Sequence, residues 1–174
     1  MLAAFLIAAA AQSAQPAAPP PPRPPACATP EHRQFDFWVG YWDVYPANSE
    51  TMIAHSLIER RYRGCAIREN WLPLGREGGG SFSAWRPEAR GWRQTWVDSG
   101  GSWVEFHGGM QGEAMVLTGE WAGVNGPGTT ALVRMTYTRE PGGVVGPVGG
   151  ASTAGGTTGC PARDGYYRPS ASPP

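Results

Sequence analysis

From Phe35 to Arg168, short runs of alternating apolar residues are broken by Gly, Pro or Asn about every ten residues. In Ala131, Val133, Met135 and Tyr137 the apolar face alternates with Arg134, Thr136 and Thr138. Trp92, Gln94 and Trp96 form a similar face that also carries an amide. A period of two marks a half-buried strand, because successive side chains point to opposite faces. The pattern predicts strands over 37–45, 51–62, 66–72, 81–86, 92–98, 103–107, 114–121, 131–139 and 165–168. The breaks read as turns: Arg63-Gly64, the segment 87–91, Asp98-Ser99-Gly100-Gly101 and the segment 123–128. Such a chain folds as an antiparallel meander. A meander of eight or more strands removes its edges most readily by closing into a barrel.

Core volume has to come from aromatics, since long stripes of Leu, Ala, Glu and Lys are absent while Trp reaches 8 beside Gly 25 and Pro 18. The densest supply is Phe35-Asp36-Phe37-Trp38-Val39-Gly40-Tyr41-Trp42-Asp43-Val44. Read as a strand, it places Phe35, Phe37, Val39 and Tyr41 on one face and Asp36, Trp38, Gly40, Trp42 and Val44 on the other. One face is expected to plug the barrel, and a helical turn near 30–34 to cover the other. Gly40, between Trp38 and Trp42, predicts a bend or a close backbone approach.

The ends of the chain have a different character. Residues 1–13 read as a signal peptide, with an apolar run too short to span a bilayer and small residues at Ala11 and Ser13 for cleavage. Residues 14–30, with their proline run, read as an extended linker. The barrel domain is expected over 31–169 and a disordered tail over 170–174. With 14 basic and 14 acidic residues, the chain has no basic face for nucleic acid and no polybasic membrane anchor. The expectation is a periplasmic or secreted protein with no stable membrane insertion after signal cleavage.

The segment Phe35–Val44 is similar to the opening of a bacterial family of exported domains of unknown function. Gly64-Cys65-Ala66-Ile67-Arg68-Glu69-Asn70-Trp71, the segment 92–98, Met115-Val116-Leu117-Thr118-Gly119 and Asp164-Gly165-Tyr166-Tyr167-Arg168 match it too. The resemblance covers most of 30–169. It implies a lipocalin-like (calycin-type) β-barrel and no established activity. The chain departs from the family over 142–160, where Gly and Pro stand in place of strand residues, so a degraded closing hairpin is expected there. Cys27, Cys65 and Cys160 make an odd count. In an exported protein two of them are expected to pair. The pair chosen is Cys27 with Cys65, which flank matched motifs, against the alternative of three free thiols.

No catalytic motif stands up. Asp98-Ser99-Gly100-Gly101 resembles the nucleophile turn of trypsin-like proteases and Ala54-His55-Ser56 their histidine segment, but the domain is too short for that double barrel and a Gly-rich hairpin turn explains the residues. His32, His55 and His107 lack the spacing of a metal site, so no metal or cofactor is expected; an axial haem ligand at His107 or His55 is the weaker alternative to an ordinary strand histidine. Glu69, Trp71, Gln94, Trp96, His107, Arg134 and Tyr137 are the candidate lining of a barrel interior, as apolar walls with a few polar anchors. The leading expectation is non-catalytic binding of a small, partly apolar molecule. The alternatives are an enzyme using an interior acid or base, with Glu69 or His107 as candidates, and a structural or interaction domain that docks a partner on external aromatics.

Overall fold

Strand formation follows the alternation closely. The computed structural model describes residues 26–149, 151–153, 156–158 and 165–171. Its strands are β1 Gly40–Pro46, β2 Ala54–Arg61, β3 Ala66–Pro73, β4 Gly79–Arg86, β5 Gly91–Asp98, β6 Trp103–Gln111, β7 Ala114–Ala122, β8 Thr130–Tyr137, β9 Val145–Val148, β10 Ala151–Thr153, β11 Gly156–Thr158 and β12 Gly165–Pro169. All pairings are antiparallel, in the order β11-β10-β8-β7-β6-β5-β4-β3-β2-β1-β12-β9. Ten of these strands curl into a nearly closed, lipocalin-like barrel with one unsealed seam. The expected all-β meander is therefore the fold observed.

The seam falls within the segment where strand residues are scarce. The free edge of β8 is shared. Leu132 and Val133 pair with β10, whereas β9 reaches only the bridge Arg139↔Val145 and the bonds Gly146 N to Thr138 O (3.0 Å) and Glu140 N to Val144 O (2.8 Å). The sheet thus splits at β8 instead of closing on a full ladder. Short strands form where a degraded hairpin is expected, and β9 finds its main partner in β12. Cys160 lies outside the described residues, as do residues 1–13, read as a signal peptide, and most of 14–30, read as a linker.

The aromatic opening stretch departs from the single strand expected. Asp36–Trp38 is a 3₁₀ turn, preceded by another at Pro30–Arg33, and β1 begins only at Gly40. With a period of three, Phe35 and Trp38 point the same way, and both are fully buried. Phe35 stacks on Trp38 at 4.8 Å and meets Trp92 and Tyr137 edge-on at 5.6 and 4.8 Å. Burying one such aromatic side chain contributes roughly 4–6 kcal/mol before ordering costs. This cluster plugs one end of the barrel. The close approach at Gly40 is made by Trp42, whose indole donates to the Trp38 carbonyl at 2.9 Å and leaves a side chain at position 40 only 3.1 Å of room.

The plug is fastened where β2 turns into β3. Cys27 is disulfide-bonded to Cys65, with their Cα atoms 4.9 Å apart. Asp36 pairs with Arg60. Trp92 Nε1 donates to Gln34 Oε1 at 3.1 Å. Gly64 has φ +90, and an added Cβ would lie 2.9 Å from the Arg33 guanidinium. The left-handed backbone there favours glycine. Ordered contacts therefore begin by Cys27, inside the segment 14–30 read as linker.

Candidate functional site

Beyond the plug, the interior is hollow. A cavity of about 580 Å³ runs from Tyr137 and Glu69 to the turns that join β3 to β4 and β5 to β6, where Arg76, Glu77, Ser99 and Gly100 form its mouth. The two turns are tied together: Ser99 N donates to Gly78 O at 2.9 Å and Ser99 Oγ to Glu77 O at 3.1 Å. Asp98 Oδ1 accepts from Gly100 N at 2.9 Å and Ser102 N at 3.1 Å, and Oδ2 accepts from Trp96 Nε1 at 3.0 Å. Burial opposes the Asp98 charge, but donors from Trp96, Ser102 and Gly100 outweigh it and hold the carboxyl below its usual range. The protease-like sequence at 98–101 is thus a hydrogen-bonded turn at the cavity rim, with its Asp facing an indole and backbone amides.

Strand alternation sorts the expected lining residues. Glu69 and Trp71 of β3, Gln94 and Trp96 of β5 and Tyr137 of β8 all line the cavity. His107 and Arg134 do not. Phe106 faces inward on β6, so His107 faces out; Val133 and Met135 face inward on β8, so Arg134 faces out and donates to Gln111 Oε1 at 3.2 Å. His107 is therefore neither an interior acid or base nor an axial ligand inside the barrel. His55 is also on the outside, stacked on Tyr41 and hydrogen-bonded to Asp43 at 2.9 Å. Among the described residues, no group of three His, Cys, Asp or Glu side chains is placed to hold a metal ion.

The walls are aromatic. Trp96 and Trp121 lie 6.4 Å apart, Phe106 packs edge-on to Trp121 at 6.2 Å, and Trp71 meets Tyr167 at a tilt at 6.3 Å. Gln94 donates to Ser83 Oγ at 2.9 Å, which satisfies one amide in the floor.

Glu69 is the exception to this apolar setting. It is buried, and its carboxylate is held by hydroxyls: Ser81 Oγ donates to Oε2 at 2.9 Å, Ser56 Oγ to Oε1 at 3.1 Å and Tyr167 OH to Oε1 at 3.4 Å. Among the described residues, no Lys, Arg or His forms an ion pair with it. Desolvation pushes its carboxyl up to about 7, against the lowering effect of the Ser81, Ser56 and Tyr167 bonds. Burial, reinforced by the Glu69 charge, pushes the Tyr137 and Tyr167 phenols up in turn, so both stay neutral hydroxyls. Sequence reasoning found Glu69 but missed its cradle. Ser56 and Ser81 occupy inward positions in period with Ile58 and Ser83, and a small polar residue at such a position was the available signal.

Outside the barrel, Phe82, Val97 and Trp103 lie exposed on the outer face of β4, β5 and β6, with Trp103 Nε1 bonded to Glu105 at 3.1 Å. No protein-family model matches the chain, and no curated protein shows a significant match. The site is accordingly defined by its geometry: an aromatic-walled barrel cavity, open at one end, with one buried carboxylate.

Proposed function

We propose that this is an exported barrel that binds a small, partly apolar molecule within its cavity, without chemical conversion. The observation that carries the reading is the hollow interior itself. About 580 Å³ lies inside the range of small-molecule sites, with indole walls and few polar anchors. Barrels of about eight strands are either filled by their own side chains or hold one small ligand, and the interior widens with strand number. The Cys27–Cys65 disulfide supports export, since such bonds persist in oxidising compartments. The resemblance of 35–44 and 64–71 to an exported family points the same way. Mass spectrometry of protein purified under native conditions tests the reading: a co-purifying molecule released on denaturation supports it, and an empty cavity that no member of a small-molecule panel stabilises against heat would overturn it.

A second reading has one observation in its favour. A buried acid poised near neutrality is what a general acid or base requires. The enzyme reading would be favoured if a ligand recovered from Glu69→Gln protein differed chemically from the one recovered from the unaltered protein.

A further inference from the structure

The cavity contains an electrostatic imbalance. Its deep part holds the Glu69 carboxyl, the Tyr137 and Tyr167 phenols and aromatic rings, and the charged residues nearer solvent are Arg76, Glu77 and Asp98 at the mouth. The hydroxyls of Ser56, Ser81 and Tyr167 all donate towards Glu69, an arrangement that suits the ionised carboxylate rather than the protonated acid. Burial without a cation penalises that same ionised form. The group is therefore built for a charge whose counter-ion is missing from the described side chains.

The surrounding rings supply the rest of a cation site. Tyr167, which bonds Glu69, lies 6.3 Å from the tilted ring of Trp71, and Trp96 and Trp121 form a further stretch of the cavity wall. Indole and phenol faces attract cations and cover apolar surface equally well. A carboxylate together with ring faces discriminates for a positive charge on an apolar body and against an anion.

Resting on the binding reading above, we propose that the ligand is a protonated amine with an aromatic or aliphatic body, seated with its ammonium against Glu69 and its body against the tryptophan walls. The ammonium completes the ion pair that the hydroxyl cradle prepares. The carboxyl value of about 7 then has a consequence. The groups facing Glu69 are Tyr167 from β12, Tyr137 from β8 and the serines of β2 and β4, none of which titrates near neutrality; Asp98, Glu77 and Arg76 lie out at the mouth. Below neutral pH, seating the ammonium expels one proton from Glu69 to solvent, and the amine keeps its own.

Isothermal calorimetry with three matched probes tests this: 2-(1-naphthyl)ethylamine, 2-(1-naphthyl)ethanol and 1-naphthylacetate, on the full chain and on Glu69→Gln. The expected result is amine binding at least about tenfold tighter than alcohol, with the carboxylate weakest. Glu69→Gln lowers amine affinity by about tenfold or more and alcohol affinity by clearly less, while circular dichroism reports that the variant is folded. Amine titrations at a pH of about 6, in buffers of different ionisation heat, should show proton release from the unaltered protein and none from Glu69→Gln. Equal affinity for all three probes, preference for the carboxylate, or an amine affinity untouched by Glu69→Gln overturns the amine assignment and leaves the cavity reading standing. If no probe binds, the amine assignment falls, and the retained-molecule experiment separately decides whether the cavity reading falls with it.

Discussion

Ser81 stands directly opposite Glu69 in the β3–β4 ladder and donates its hydroxyl to Oε2 at 2.9 Å. The register thus places a small donor beneath the buried Glu69 carboxyl, and Ser56 meets the other oxygen from β2.

That burial makes stability depend on pH through Glu69. Its carboxyl sits at about 7 in the folded protein against an ordinary value of 4.5. Between these two values the native state keeps a proton that the unfolded state has released. The contribution is therefore fully present below 4.5, lost as pH rises through about 7, and constant above. It amounts to something on the order of 3 kcal/mol. Urea unfolding at about pH 5 and pH 8 should show a fall for the unaltered protein that is smaller by this amount in Glu69→Gln. Equal falls in the two proteins would mean that Glu69 is ionised throughout.

Two tryptophans that look equivalent in the sequence should behave differently. Trp42 is 5% exposed and hydrogen-bonded to the Trp38 carbonyl. Trp42→Ala should cost on the order of 3–5 kcal/mol in chemical denaturation. Trp96 faces the cavity and is only partly buried. Trp96→Ala should cost about half as much and weaken naphthyl-probe binding. An equal loss of stability at both positions would mean that Trp96 packs as a filled core.

The N-terminal boundary can be tested by two truncations. Deletion through Pro25 should leave the melting temperature nearly unchanged. Deletion through Pro30 removes Cys27, which closes a loop of sequence separation 38 with Cys65, and removes the Thr29 hydroxyl bonded to His32. Loop entropy alone assigns that bridge about 4 kcal/mol. Calorimetry of the two truncations should therefore separate them by many degrees, and a matched pair of melting temperatures would show that the bridge contributes little.

Hydrogen exchange should single out the seam. Backbone amides of Val145–Val148 and Ala151–Thr153 are predicted to exchange faster than those of Gly91–Asp98, which is laddered on both sides. Comparable protection in all three strands would show that the split at β8 does not weaken the sheet.

The barrel was legible in the sequence because alternation and turn residues are local signals. The strand from Trp92 to Asp98 shows this best, since its inward residues Trp92, Gln94 and Trp96 can be read one by one. The opening stretch was harder. Its aromatics fit a strand equally well by period two, and tertiary packing under the plug favours a period of three at Phe35 and Trp38. The site was half legible. Glu69, Trp71, Gln94, Trp96 and Tyr137 follow from alternation, and the same rule applied strictly would have excluded His107 and Arg134. Trp121 and Tyr167 join the site only because distant strands meet around the barrel, which no local pattern encodes.

The direction of β1, β3 and β12 fixes how the domain faces its surroundings. β3 runs from Ala66 beside the disulfide to Pro73 at the mouth, and β12 runs back so that Pro169 pairs with Trp42 beside the plug. Ala26 and Ser170 therefore both sit at the plugged pole. A tag or surface support coupled at Ala26 or Ser170 is attached at the pole opposite the opening. Immobilised through either of those two residues, the barrel would present its mouth to the bulk solution.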